Sequence, residues 1–533
     1  MNKCPGVLGE SHGYLPLGLQ YVVVASSDRK RVDMTTGTVA PKLLTLAWPL
    51  VLGNLLQTVY NLADLFWVGR VNSESVAAVS LMFPLTYLFI STAMGLTAAT
   101  IALVSQNIGA GDDRQADRVV GQTLLLALSA SVTLAALGWV FRTDILSLMG
   151  AEGAVFDAAL AYIEVIFFAL PLTFLFFAFR GSLQGAGDTR TAMWLMLISA
   201  GVNVIIDPVF ILGWGPVPAM GVRGAAWATF IARALAAGAG VYVLVRGGFG
   251  VRLRLRDLVP NPAILRRLVN VGSPAAIDGW AQSSAAVVMA ALVTPFGTAA
   301  IAAYGIGIRL MSVTWTVARA VGQATATGVG QNLGADTPDR AARVTWVAAG
   351  ATMSLLLAAT VLTLAVPDQI IGVFDDNPAV VDEGKTFLWI IAPVWALFGG
   401  TMVLQGAFRG AGQTTVAMGL SLLSRWAFRL PVIIVLAFSA ARATPSATVP
   451  GTGRTLPGAG IGVEGVWIGF AVGATLSFLV AVGWFLLGQW TEGIVDADEA
   501  GEATLPETGP VDDGGTKNDQ ERPRPDPEID TDG

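Results

Sequence analysis

One cysteine, Cys4, and one histidine, His12, are all that 533 residues supply, and both precede the first long hydrophobic run. Disulfides, Cys/His metal centres and a Ser-His or Cys-His catalytic pair within the hydrophobic body are thereby excluded. Charge is nearly as scarce. Only 13% of residues are Asp, Glu, Lys or Arg, against roughly 25% in a soluble domain, while 54% are hydrophobic. The start of the chain lacks a basic segment, a full-length apolar run and a small-residue cleavage site, so no signal peptide is expected. Residues 1–37 read instead as an amino-terminal arm, with Met34 as an alternative start.

What the chain has in quantity is long apolar segments. Twelve can be read, near 43–68, 76–104, 119–141, 155–179, 190–213, 224–246, 264–293, 299–327, 341–366, 379–408, 415–440 and 462–488, each long enough to cross a bilayer. An even number puts both termini on one side. With the amino terminus inside, seventeen Lys and Arg fall in inside connections and six outside, Arg180 and Arg409 being counted as inside loop charges. Both termini are therefore expected to be cytoplasmic. The two halves repeat at an offset of 225: SQNIGAGDDRQADR (105–118) matches GQNLGADTPDRAAR (330–343), RGSLQGAGDT (180–189) matches QGAFRGAGQT (405–414), and Pro49 matches Pro274. This is a duplication of parallel topology. It divides the chain into an N-lobe (38–246), a cytoplasmic interlobe loop (247–263), a C-lobe (264–490) and a tail (491–533). The tail carries fourteen acidic and three basic residues and is expected to be disordered. Deleting residues 1–33 together with about 495–533 is expected to leave transport within a few-fold of the parent.

Ionisable residues inside spans are costly and mark functional sites. In span one, Gln57, Tyr60, Asn61 and Asp64 share one helical face. In span five, Asn203 and Asp207 stand one above the other, and Pro208, which lacks an N–H and crowds the carbonyl of residue 204, is expected to kink the helix. Span six adds Thr229. The repeat mates of Asp64, Asn203 and Asp207 are Met289, Phe428 and Val432, so only the N-lobe carries the acidic pair. The reading is a small oxygen-lined site for a cation or proton, either Na⁺ or H⁺, with Asp64, Asn203, Asp207 and Thr229 as the set that would hold Na⁺, and no other cofactor. A blander reading pairs the buried carboxylates with Arg233. Glu164 and Asp278 read as structural, the Gly/Ser/Thr-rich faces of spans two and eight as close packing, and the Trp and Phe residues as mostly lipid-facing or interfacial. The GAGDT loop lacks the Lys-Ser/Thr ending of a phosphate-binding loop and reads as a turn.

The duplication, the WP of span one, Tyr60 to Asp64 as YNxxD, the two QNxGA segments, GAGDT and the NxxxDP of span five resemble the multidrug and toxic compound extrusion (MATE) family over about residues 38–490. The resemblance implies an all-α polytopic membrane protein of twelve transmembrane helices in two pseudo-symmetric six-helix bundles around a V-shaped cleft. It implies an antiporter, not an enzyme, that exports cationic or amphiphilic compounds in exchange for Na⁺ or H⁺. Carried over residue by residue, it assigns Tyr60, Asp64, Asn203, Asp207 and Thr229 to the cation site. Some bacterial branches place acidic residues in spans seven and ten; near Gln282 and Phe398 this chain has none, so it resembles the archaeal and DinF-like branch. Gln57, Asn61, Asp278, Gln282 and Arg309 are further candidates for the cleft. A lipid or lipid-linked glycan flippase is the alternative, with Arg309, Arg425 and Arg429 available for a phosphate head group. The expected setting is the cell membrane, as a monomer with the bilayer and a small molecule as partners and no nucleic acid.

Overall fold

The computed structural model describes residues 31–215, 217–438 and 461–494. The loop 441–460 and nearly all of the arm and tail lie outside these. Twelve helices are long and apolar enough to cross a membrane: α1 (Val39–Val68), α2 (Ser73–Gly109), α3 (Asp113–Val140), α4 (Gly153–Gly185), α5 (Thr189–Leu212), α6 (Val222–Arg246), α7 (Pro262–Phe296), α8 (Thr298–Gly334), α9 (Pro338–Ala365), α10 (Pro378–Gly410), α11 (Thr414–Ala437) and α12 (Val463–Leu486). Each coincides with a segment read from the sequence. Their starts follow from side-chain caps: Asn72 accepts from Ser75 N, Asp112 from Gln115 N, Asp188 from Thr191 N, and Asn261 from Ala263 N. Such caps satisfy N–H groups that a helix start leaves without partners. GAGDT is a turn, as expected, with Gly187 at φ 84 and Asp188 capping α5.

Four helices overrun their apolar segments. α2, α4, α8 and α10 continue through the polar repeats QNxGA and RGSLQG or QGAFRG, because the opposite lobe buries those residues. Gln106, Asn107, Gln184, Gln331 and Asn332 are all buried. Two lobes result. In the first, α4 packs on α2, α3 and α6, and α1 and α6 pack on α5; in the second, α8 packs on α10, and α10 on α9. Across the lobes, α2 lies on α7 and α8, and α1 on α8, as the repeat's pseudo-twofold demands. The aromatic expectation fails in part: Phe167, Phe174, Phe176, Phe179, Phe387, Phe408, Trp467 and Trp490 are buried in the lobe cores, where large rings fill space between helices.

The lobes meet at the end that carries the arm. Toward the other end, Trp280 Nε1 donates to Leu88 O at 3.3 Å, and beyond it Phe83 and Val287 are exposed. At the closed end the structure corrects two expectations. Residues 31–33 are docked: Val32 N donates to Gly187 O (3.1 Å), and Arg31 pairs with Asp113. Residues 491–494 are docked too, with Ile494 N donating to Gln106 Oε1 (2.8 Å). Gln331, the repeat mate of Gln106, holds the amino-terminal side: its Oε1 accepts from Met34 N (2.8 Å) and its Nε2 donates to Val32 O (3.2 Å). A deletion through residue 33 therefore removes structure. Gln331→Leu leaves a buried N–H unsatisfied and should destabilise the folded protein by about 1–3 kcal/mol, read as a lowered melting temperature in detergent. The interlobe loop is also fixed, under α3, where Gln122 Nε2 donates to Asp257 O and Val259 O, both at 2.7 Å.

Candidate functional site

Between α1, α5 and α6, the N-lobe encloses a polar cluster. The Tyr60 and Thr229 hydroxyls hydrogen bond at 3.1 Å. Asn203 and Asp207 are fully buried. Neither Asp207 oxygen, neither polar atom of the Asn203 amide, nor Asp64 Oδ1 has a partner at normal hydrogen-bonding distance among the described residues, the Asn203 amide standing as a longer-range neighbour of Asp207. Asp64 lies close enough to Asp207 for their charges to interact. Tyr162 of α4, also buried, lies within electrostatic range of Tyr60 and both carboxylates. No spacing in the sequence singled it out. α5 continues one turn past Pro208 to Leu212 and ends at Gly213, whose φ of 77 provides the left-handed cap.

Arg233 does not pair with either carboxylate. Its guanidinium stacks over Phe176 at 4.3 Å and lies 5.7 Å from the Tyr60 ring centre, so ring faces meet its charge. Unpartnered buried carboxylate and amide oxygens cost free energy unless something supplies positive charge. Carboxylate, amide and hydroxyl oxygens are the donor set for a hard cation, and the same carboxylates can take a proton. Glu164, by contrast, is held by Arg142 at 3.0 Å.

A second feature lies between the lobes: a cavity of about 130 Å³. Two of the cleft candidates, Asp278 and Gln282, line it. Gln57, which donates to Asn61 Oδ1 at 3.1 Å, Asn61 itself and the exposed Arg309 do not. The larger correction concerns arginines. Arg180 and Arg409, counted from sequence as loop charges, are inside α4 and α10 and line the cavity with Arg319 and Arg425. Without them the charge bias is fifteen against six and keeps its sign. A signal was present in the repeat, where Arg180 aligns with Gln405 and Gln184 with Arg409. Asp278 bonds both Arg409 (3.1 Å) and Arg425 (3.4 Å). Arg425 stands on a π-helical stretch of α11, Leu423–Arg429, a local widening common at functional sites.

The MatE family model matches residues 49–209 and 274–435. The chain is 28% identical over 445 residues to the probable multidrug resistance protein YoeA of Bacillus subtilis, covering 82% of this chain and 91% of that one. It is 30% identical over 313 residues to the FAD transporter of Shewanella oneidensis, covering 59% and 69%. Among solved structures, an outward-facing conformation of a multidrug resistance MATE family transporter of the MOP superfamily superposes with a TM-score of 0.77 at 23% identity, covering 89% of this chain and 99% of that one. That likeness shows the fold.

Proposed function

The chain belongs to the MatE family, and on that premise we propose that the exchange it performs is driven through Tyr60, Asp64, Asn203, Asp207 and Thr229. It is a multidrug efflux transporter working by antiport. The observation that carries the site assignment is the buried Asp207 beside the half-buried Asp64, with both Asp207 oxygens and Asp64 Oδ1 unpartnered and no neutralising arginine.

A cation or proton reaching the pair from the open end of the V offsets the repulsion between the two carboxylates. Once neutral, α1, α5 and α6 can repack, which biases the lobe between two arrangements. One positive charge moving inward releases about 2.3 kcal/mol per 100 mV, enough for a roughly fifty-fold gradient of a neutral substrate at one-to-one exchange. Proteoliposomes given a Na⁺ gradient or a pH gradient separately test the coupling; the expected result is efflux driven by one of them, and efflux indifferent to both refutes antiport through this pair. The names of the relatives divide between multidrug resistance and FAD transport, so membership alone leaves the charge of the exported compound open.

The orientation we propose puts both termini in the cytoplasm of a cell-membrane protein, on the charge bias. With Cys4 removed, cysteines at Arg254 and Asp376 should react with an impermeant reagent from opposite sides. Labelling of both from outside refutes this orientation.

A further inference from the structure

We propose that the cavity between the lobes is an anion site, and that the exported compound is an amphiphile bearing a carboxylate, sulfonate or phosphate group. The proposal rests on reading this cavity as the transport cavity. Four guanidiniums line it and one carboxylate answers them. Asp278 is divided between Arg409 and Arg425. Arg180, buried on the N-lobe side, has a neutral partner, Asn54 Oδ1 at 2.7 Å. Arg319, on the C-lobe side, has no ion pair or hydrogen bond among the described residues. Three formal positive charges are thus unmatched.

These charges also stand near one another. Arg180 and Arg319, from opposite lobes, are close enough to repel, as are Arg425 and both Arg319 and Arg409. Behind them Arg429 is buried over the Phe470 ring at 3.5 Å, its Nε without a partner. Poorly solvated like charges that no acid compensates are costly, and the cost falls when an anion enters. A cationic compound would add to it. Guanidinium forks suit planar carboxylates and phosphates, which they can bind through two parallel hydrogen bonds. Met94, Ile101, Phe177 and Met402 supply apolar wall for the rest of an amphiphile. An anion held between Arg180 and Arg319 would touch both lobes, so its arrival and departure would be felt at the interface that must open and close.

Binding and flux are measured separately. In detergent, carboxyfluorescein is expected to bind the full-length protein more tightly than ethidium, with affinity falling as salt rises. Arg319→Gln and Arg180→Gln should each weaken carboxyfluorescein by about tenfold or more, while Arg223→Gln, a charge-matched change at an exposed position of α6, leaves it unchanged. Tighter binding of ethidium, or carboxyfluorescein binding indifferent to both cavity variants, overturns the proposal. In proteoliposomes, export of carboxyfluorescein assigns the anion to a soluble compound, and movement of labelled phosphatidylglycerol in its place assigns it to a lipid head group. Ethidium export without carboxyfluorescein binding removes the anion site and leaves the antiporter. Anion binding without gradient-driven flux of any probe keeps the site and removes the transport reading.

Discussion

Asp207→Asn should reduce gradient-driven efflux to the level of protein-free vesicles while leaving the protein folded, and Asp64→Asn should do the same. Asp207 is fully buried with both oxygens unpartnered, and Asp64 is the charge that faces it. Asparagine keeps the shape and one carbonyl oxygen, yet it can neither take up a proton nor neutralise a cation. The stability readout points the other way from activity. Removing one of two repelling, poorly solvated carboxylates relieves a native-state cost, so the melting temperature of Asp207→Asn should equal or exceed the parent's. Substrate binding in the interlobe cavity should survive, since the acid in that cavity is Asp278. Near-parental pumping by both Asn variants under an imposed gradient would show that coupling runs elsewhere.

The helices and the acidic pair were legible in the sequence for the same reason. Twelve apolar runs admit one class of solution in a bilayer, and a carboxylate inside such a run stands out against its surroundings. What was hidden depends on contacts between the lobes. Gln106, Gln331, Arg180 and Arg409 are polar residues at the ends of apolar runs, which hydropathy assigns to loops; only the meeting of the two lobes buries the glutamines and sets both arginines on the cavity between them. Burial of Phe176 and Phe179 was misjudged because a phenyl ring suits lipid and protein interior equally. Tyr162 joins the polar cluster through the packing of α4 on α6, which leaves no mark on local spacing. Asp278 was read both as structural and as a candidate for the cleft, and it is the shared partner of Arg409 and Arg425 while also lining the cavity, two roles one residue can hold.

Gly334→Val should lock the closed end open and reduce efflux by at least about tenfold. The repeat pairs Gly109 with Gly334 and Gln106 with Gln331, and the fold turns these pairs against each other across the pseudo-twofold axis. A Cβ at Gly109 would stand 2.0 Å from Gln331 O, and one at Gly334 would stand 1.9 Å from Gln106 O. The obstacle in each case is the backbone of the facing helix, which cannot step aside as a flexible side chain would. α2 and α8 must then separate where they cross, losing the glutamine contacts that tie the arm and the segment after α12 to this end. Overpacking costs typically about 1–3 kcal/mol, and a change of that size moves a balanced two-state equilibrium by roughly 5–150-fold. The strain exists only while this end is closed, so the variant should fold and populate the state open on that side. Spin labels at the repeat mates Arg118 and Arg343, both exposed, should show a longer distance in Gly334→Val than in the parent. Gly109→Val should repeat the effect from the other lobe. An unchanged distance together with parental efflux would mean that the crossing of α2 and α8 is not the gate.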